Sequence, residues 1–123
     1  NITSAMVKSP HPAMGLSTAA RAGLTAVSKA LSREAAKDNV TINNLLPERI
    51  DTPRQAMMAR RIMAAKGLTL AQARQEIIRT IPAGRFGTPE EFGAACCFLC
   101  SAHSGYITGQ NLQLDGGAYA GLI

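Results

Sequence analysis

The longest regular pattern of apolar positions in the chain lies between Met14 and Lys37. Apolar residues recur there every three or four positions, which is the spacing of one face of an α-helix. The pattern therefore predicts a long helix with a single buried apolar stripe. The stripe consists of Leu16, Ala20, Leu24, Val27, Leu31 and Ala35.

Strand patterns precede and follow this helix. Residues 40–46 alternate and are β-branched at the front, which predicts a buried strand that ends at Pro47. Residues 111–115 alternate in the same way and predict a final strand. Residues 1–4 have the composition of the end of a strand. We therefore expect two full strands and one partial strand.

Three further helices are marked by their capping residues. Thr52, Thr69 and Thr88 are each followed three positions later by Gln or Glu, which is the pattern of a capping box. Proline stands at the first helical position after Thr52 and Thr88, where its fixed φ favours helix initiation. The signals predict helices from 53 to about 66, from 70 to before Pro82, and from 89 onward.

This order of elements, with helices between strands, favours parallel pairing in an α/β sheet with right-handed crossovers. Two strands and a stub are few for such a sheet. We therefore expect that a part on the N-terminal side is missing or that a second chain supplies it. The first residue, Asn1, is not a methionine, which leads us to expect a truncated or processed chain.

Composition limits the class of protein. The 123 residues are 46% hydrophobic, enough for one core. No apolar run approaches about 18 residues and no secretory leader is evident, so we expect no membrane span and a cytoplasmic location.

The net charge of +5 is concentrated between Arg49 and Arg85. This basic segment indicates either an anionic ligand, such as a nucleotide or an acyl-phosphopantetheine carrier, or a solvated helix surface. The single aromatic residue beside it, Phe86, provides no stacking platform, which argues against nucleic-acid binding.

Three cysteines, Cys96, Cys97 and Cys100, lie within five residues. A structural zinc site needs four ligands, and no partner pair occurs elsewhere in the sequence. We therefore expect no metal site and interpret the three thiols as buried apolar groups.

Several phrases, in order, resemble the C-terminal half of the short-chain dehydrogenase/reductase family. They occupy residues 1–4, 43–52, 82–91 and 106–117. The resemblance implies that residues 1–123 are the C-terminal part of a Rossmann-like doubly wound parallel sheet. It also implies a helical lid over residues 52–82, with NAD or NADP as cofactor and a small carbonyl or alcohol as substrate. Met57, Met58 and Met63 fit the inner face of such a lid, although ordinary packing would select them equally well.

In that family a serine polarises the substrate carbonyl, a tyrosine thirteen residues later transfers the proton, and a lysine four residues further lowers the tyrosine pKa and holds the ribose. At this spacing stand Ser4, Ser17 and Arg21. The resemblance therefore implies catalytic positions for all three and a ribose contact for Arg21. The alternatives are that Ser4 caps a strand end, that Ser17 is a small helix residue and that Arg21 is a surface charge. Neither Tyr106 nor Tyr119 has a lysine four residues later.

The resemblance also implies that Pro47, Ile50 and Thr52 contact the nicotinamide end of the cofactor. Glu48 stands where the family has glycine, and its bulk and charge are unfavourable there unless Arg49 neutralises it. The sequence contains no Gly-rich phosphate loop of the form G-x-x-x-G-x-G or G-x-G-x-x-G. We therefore expect the 123 residues alone to hold a dinucleotide poorly.

Two functions remain open at this point. The chain is either part of an NAD(P)-dependent oxidoreductase with altered catalytic residues, or a non-catalytic binding or oligomerisation module derived from one. The second would use the helix at 14–37 and the last strand for self-association. In both, we expect a homo-oligomer or association with a missing N-terminal half.

Overall fold

A computed structural model describes residues 1–122 of the chain. Short 3-10 turns occupy Ala5–Val7, Pro12–Met14, Ala36–Asp38 and Ala102–Ser104. The longer elements, in chain order, are α1 (Gly15–Ala35), β1 (Asn44–Pro47), α2 (Pro53–Lys66), α3 (Leu70–Ile78), α4 (Pro89–Leu99) and β2 (Asn111–Leu114).

The strands are parallel, which confirms the α/β class. Asn44 lies opposite Asn111, and the register continues to the ends of both strands. On its other side β1 pairs with the first residues of the chain: Leu45 N donates to Asn1 O at 2.8 Å, and Thr3 N donates to Leu45 O at 2.9 Å. Three parallel segments therefore lie side by side, with β1 in the middle.

Strand β1 begins later than its residue pattern predicts. We expected a strand over 40–46, whereas β1 starts at Asn44. The preceding residues instead bond to the turn before β2. Ile42 N donates to Thr108 Oγ1 at 3.1 Å, and Gly109 N donates to Ile42 O at 2.8 Å. These bonds replace a regular strand ladder in front of Asn44.

Helix α1 has close to the expected extent but buries a different face from the one predicted. Leu16 is 93% exposed, and Leu24, Val27 and Leu31 are also exposed. The buried residues of α1 are Thr18, Ser28 and Ser32. The prediction of a buried apolar stripe is therefore wrong for this structure.

The inward face of α1 carries hydroxyl groups, and hydrogen bonds lower the cost of burying two of them. Ser28 Oγ donates to Leu24 O at 2.7 Å and accepts from Asn1 Nδ2 at 2.9 Å. Ser32 Oγ donates to Lys29 O at 2.8 Å. Because their polar atoms are paired, these small residues can face the sheet without a desolvation penalty.

The apolar core lies between α2, α3 and the segment after α3. Its buried members are Ala59, Ala73, Ile77, Ile81 and Phe86. The partly buried residues packed against it are Met58, Ile62, Met63 and Ile78. Two of the three methionines discussed above therefore pack in this core, while Met57 is exposed.

Two of the three predicted capping boxes are confirmed. Thr69 and Thr88 each bond reciprocally with the residue three positions later. The box predicted at Thr52 is wrong, because Thr52 makes no side-chain cap bond. Gln55, its expected partner, is buried, and its Oε1 has no partner among the described residues. A side chain turned into the interior cannot reach back to cap the helix.

The prediction of three buried thiols is also wrong. Cys97 and Cys100 are exposed and Cys96 is partly buried, all as free cysteines. Helix α4 has no fully buried residue. Within residues 1–122 no helix combines the length and hydropathy needed to cross a membrane.

The C-terminal turn is centred on the carboxylate of Asp115. It accepts from Gly117 N at 2.9 Å, from Tyr119 N at 2.8 Å and from Gln113 Nε2 at 2.9 Å. Ala83 N, just beyond α3, donates to Gly116 O at 2.9 Å. The ring of Tyr119 lies under the Lys8 ammonium, 5.6 Å from Nζ to the ring centroid. This turn therefore connects the end of the helical pair with the start of the chain.

Candidate active site at the sheet edge

Two of the predicted site residues, Ser4 and Pro47, lie at one edge of the sheet. Ser4 follows the first parallel segment and Pro47 ends β1, so both stand at carboxyl ends of neighbouring strands. Helix α1 packs against the turn Ala5–Val7 at this edge. In open α/β sheets this is the edge at which ligands bind. Ser4 and Pro47 thus lie in a region of the fold suited to a ligand.

Ser4 caps the short turn that follows it. Its Oγ accepts from Met6 N at 3.2 Å, and the residue is partly buried. The capping alternative is therefore realised, but the hydroxyl proton is still available to donate. Two buried hydroxyl oxygens without a described partner, those of Thr3 and Thr18, adjoin Ser4 and Ser17 in the chain. Buried polar groups of this kind call for a partner such as water or a ligand.

Ser17 and Arg21 are joined directly. Nη1 of Arg21 donates both to Ser17 Oγ and to Ser17 O, the latter at 3.1 Å. Arg21 is exposed and Ser17 is partly buried. The Ser17 hydroxyl oxygen therefore accepts from a permanent cation, and neither group is arranged to relay a proton.

The segment after β1 contains the residues expected to contact the nicotinamide. Glu48 and Arg49 form an ion pair, with Nε and Oε1 3.7 Å apart, so the charge of Glu48 is neutralised locally. Arg49 rather than Glu48 takes the left-handed backbone, with φ 56°. Thr52 precedes α2 and is partly buried, and its hydroxyl is not used to cap that helix. Its side chain is therefore free of a structural bond that a ligand would have to displace.

Ile50 bridges to a second loop. It pairs with Gly87, where a Cβ would lie 2.8 Å from the Ile50 Cδ1 atom. A side chain at position 87 would therefore force the Ile50 side chain to move. Asp51 N also donates to Gly87 O at 2.8 Å, which fixes the segment after β1 against the loop before α4.

A cavity of about 380 Å³ lies beside Ile50. Its charged lining consists of Glu48, Arg49, Arg85, Glu91 and Asp115. Of the predicted site residues, Ile50 belongs to this lining, whereas Ser4, Ser17 and Arg21 do not. This cavity and the predicted proton-transfer residues are thus in different places.

The Arg85–Glu91 pair at this cavity was not found from the sequence. Arg85 Nη2 and Nη1 donate to the two carboxylate oxygens of Glu91 at 2.6 and 2.8 Å. These bonds, together with the Thr88 N–H, lower the pKa of Glu91 to about 2, and Glu91 in turn raises the pKa of Arg85. Glu91 was recognised only as a capping residue. The signal available in the sequence for this ion pair was a basic residue, Arg85, shortly before the capping box of Thr88 and Glu91.

A family model described as enoyl-(acyl carrier protein) reductase matches residues 1–119. The chain therefore belongs to this family, within the short-chain dehydrogenases/reductases. It is 39% identical over 117 residues to a 3-oxoacyl-[acyl-carrier-protein] reductase of Chlamydia muridarum, covering 95% of this chain and 43% of the relative. It is 34% identical to an NADPH-dependent reductase of Bacillus subtilis, covering 96% of this chain and 46% of that protein.

Solved structures agree with this assignment. An NADPH-dependent reductase involved in bacilysin biosynthesis superposes with a TM-score of 0.91 at 33% identity, over 99% of this chain and 46% of that one. The L-sorbose reductase of Gluconobacter frateurii, crystallised with NADPH and L-sorbose, gives 0.90 at 29% identity, over 98% and 46%. The chain thus has the Rossmann-like fold of these proteins and spans somewhat less than half of their length.

Proposed function

We propose that the chain forms the C-terminal half of an NAD(P)-dependent oxidoreductase for a small carbonyl or alcohol, with a catalytic pair that has lost its proton-transfer chemistry. The bond from Arg21 to Ser17 carries the proposal. It joins the two side chains that stand at the family's tyrosine and lysine positions. A cytoplasmic location belongs to the same proposal.

The chemistry of this pair explains why activity would suffer. A phenol with a pKa of about 10 becomes a useful acid near neutral pH when an ammonium stands beside it. The hydroxyl of Ser17 titrates far higher, and the charge of Arg21 is permanent. Ser4 retains a hydroxyl that can donate to a substrate oxygen. Substrate polarisation would therefore persist while proton transfer is impaired.

The residues at the sheet edge fit the nicotinamide end of the cofactor. Thr52 has a hydroxyl not engaged in capping, and the buried hydroxyls of Thr3 and Thr18 lack described partners. Arg21 has further guanidinium donors suited to ribose hydroxyls. The chemistry that bound NAD(P)H supplies is hydride transfer. The chain itself would orient the reacting carbonyl and contact the amide and ribose, whereas the phosphate contacts would come from the N-terminal half.

The test restores the pair in a protein that contains this chain together with a cofactor-binding half. The double variant Ser17→Tyr, Arg21→Lys is compared with both single variants, each with and without Glu48→Gly. General acid–base catalysis contributes about 10²–10⁴-fold, or about 3–5 kcal/mol of barrier, and we expect a kcat/KM gain of that size from the double change only.

The single variants serve as the controls, because the phenol needs the ammonium to shift its pKa. Additive gains from the two single changes would contradict the pairing. A starting protein that already turns over as fast as the double variant would overturn the proposal, since Ser17 and Arg21 would then not be an impaired pair.

The exposed apolar face of α1 favours a second candidate, a non-catalytic assembly module. Leu16, Leu24, Val27 and Leu31 lie on this face. Titrating NADPH fluorescence against a protein that contains this chain together with a cofactor-binding half distinguishes the two candidates. Saturable binding supports the oxidoreductase, whereas association of the protein without any cofactor binding supports the module.

A further inference from the structure

Two of the three thiols of the chain face a second cavity together. Cys96 lies in the last turn of α4, and Cys100 is the C-cap of that helix. Cys100 N donates to Cys96 O at 3.0 Å, so the two residues stand one helical turn apart. Both line a cavity of about 350 Å³ beside the start of the chain, whose wall also includes Ile2 and Leu45.

The environments of the neighbouring thiols are also coupled. Desolvation by burial, with smaller contributions from the Cys100 and Cys97 thiols, raises the pKa of the Cys96 thiol. Cys96 is partly buried and Cys100 is exposed, so a small reagent can reach both. Cys97 is exposed as well but does not belong to the cavity lining. The pair is thus a distinct feature within the CCFLC segment.

Helical spacing determines what such a pair can bind. Cβ atoms one turn apart are separated by about 5–6 Å, whereas a disulfide needs about 3.5–4.5 Å. A direct S–S bond would therefore distort α4. No cluster of three or more metal-binding side chains occurs in residues 1–122, so a four-coordinate zinc site is not available there. A single atom bonded to both sulfurs spans the gap without moving the backbone.

We propose that Cys96 and Cys100 form a two-thiol binding site for a thiophilic electrophile, specifically a trivalent arsenical. With phenylarsine oxide, the two S–H bonds and the As=O bond break, while two As–S bonds and one water molecule form. Arsenic remains trivalent and both sulfurs keep their oxidation state, so the step requires no oxidant or reductant. Cys97 remains a free thiol.

The test is binding of phenylarsine oxide to the purified, reduced protein that carries this chain. Intact mass spectrometry counts the adducts, and N-ethylmaleimide then labels the thiols that remain. We expect one phenylarsenic group within this chain, with Cys97 labelled and the other two cysteines protected. Binding through two thiols gains about 10²–10⁴-fold over one, so Cys96→Ser or Cys100→Ser should weaken binding at least about 100-fold.

Cys97→Ser is the matched control and should bind as the unmodified protein does. Circular dichroism checks that each variant is folded. If Cys96→Ser fails to fold, the exposed Cys100→Ser variant and the labelling pattern of the unmodified protein still decide the outcome. Labelling of Cys96 or Cys100 in the adduct, retention of binding in Cys100→Ser, or loss of binding in Cys97→Ser would each overturn the proposal.

Discussion

Helices α2 and α3 bury an apolar cluster, whereas α1 turns its larger apolar residues outward and buries hydroxyls. Ile77 and Phe86 are nearly inaccessible, while Leu16 is almost fully exposed. Both regions were predicted as helices, α1 from its apolar period and α2 and α3 from their capping residues, and neither signal specifies what the helix packs against. The difference lies in the neighbours: α2 and α3 pack against each other, whereas α1 packs against the polar start of the chain. A helical period therefore predicts a helix without establishing which face is covered.

The strongest test of this difference in burial is to truncate one large side chain in each region. Phe86→Ala removes a buried ring and its contact with the Arg74 guanidinium, whose Cζ lies 4.7 Å from the ring centroid. We expect a loss of about 3–5 kcal/mol in unfolding free energy, because a buried cavity remains. Leu16→Ala, the matched control, should stay within about 0.5 kcal/mol. Urea denaturation measures both, and equal losses would show that α1 is covered in solution.

The outward face of α1 provides the second comparison. We expect the triple change Leu24→Gln, Val27→Gln, Leu31→Gln to raise the dissociation constant for self-association at least about tenfold, or about 1.4 kcal/mol. The reason is that these exposed residues form an unpartnered apolar stripe. Sedimentation velocity over a concentration series gives the constant.

The control for this prediction is Arg33→Gln with Lys37→Gln, two exposed positions on the same helical region. It should leave the dissociation constant unchanged. A monomer at all concentrations, or a triple variant that associates as the unmodified protein does, would remove α1 from any proposed interface.

The smallest expected effect concerns Glu91, beside the core but exposed to solvent. Its folded pKa is about 2, against an ordinary value of 4.5, so its stabilising contribution is present above about 4.5 and is lost as pH falls toward 2. Glu91→Gln removes the charge while keeping an acceptor for the capping box. We expect the Tm difference between the two proteins to shrink between about pH 6 and about pH 2. A difference independent of pH would assign the contribution of Glu91 to capping alone.

The sequence was sufficient where local chemistry decides the structure. Thr88 and Glu91 lie close enough to bond reciprocally, and their box is confirmed. The same pattern failed at Thr52, because tertiary packing turned Gln55 inward. Capping residues thus predict where α2 begins, but not which bonds hold its first turn.

In the candidate site, too, features set by local sequence were predictable and features set by tertiary folding were not. The four-residue spacing of Ser17 and Arg21 predicts that they lie on one helix face, and they are hydrogen-bonded. Their catalytic roles stay predictions. The Arg85–Glu91 pair depends on how the loop before α4 folds back, and its one local signal, a basic residue ahead of the capping box, does not specify that path. The parallel pairing of the strands was predicted from the sequence, whereas the location of the larger cavity was not.

The C-terminal turn makes the ultraviolet absorption of Tyr119 a useful probe of the structure. The chain has no tryptophan and two tyrosines, of which Tyr106 is fully solvated. Tyr119 instead adjoins the Asp115 turn and the Lys8 ammonium, and that turn is bonded to Ala83 at the exit of α3. Ultraviolet difference spectra of this phenol therefore report on the junction between the helical pair and the start of the chain, without any attached dye.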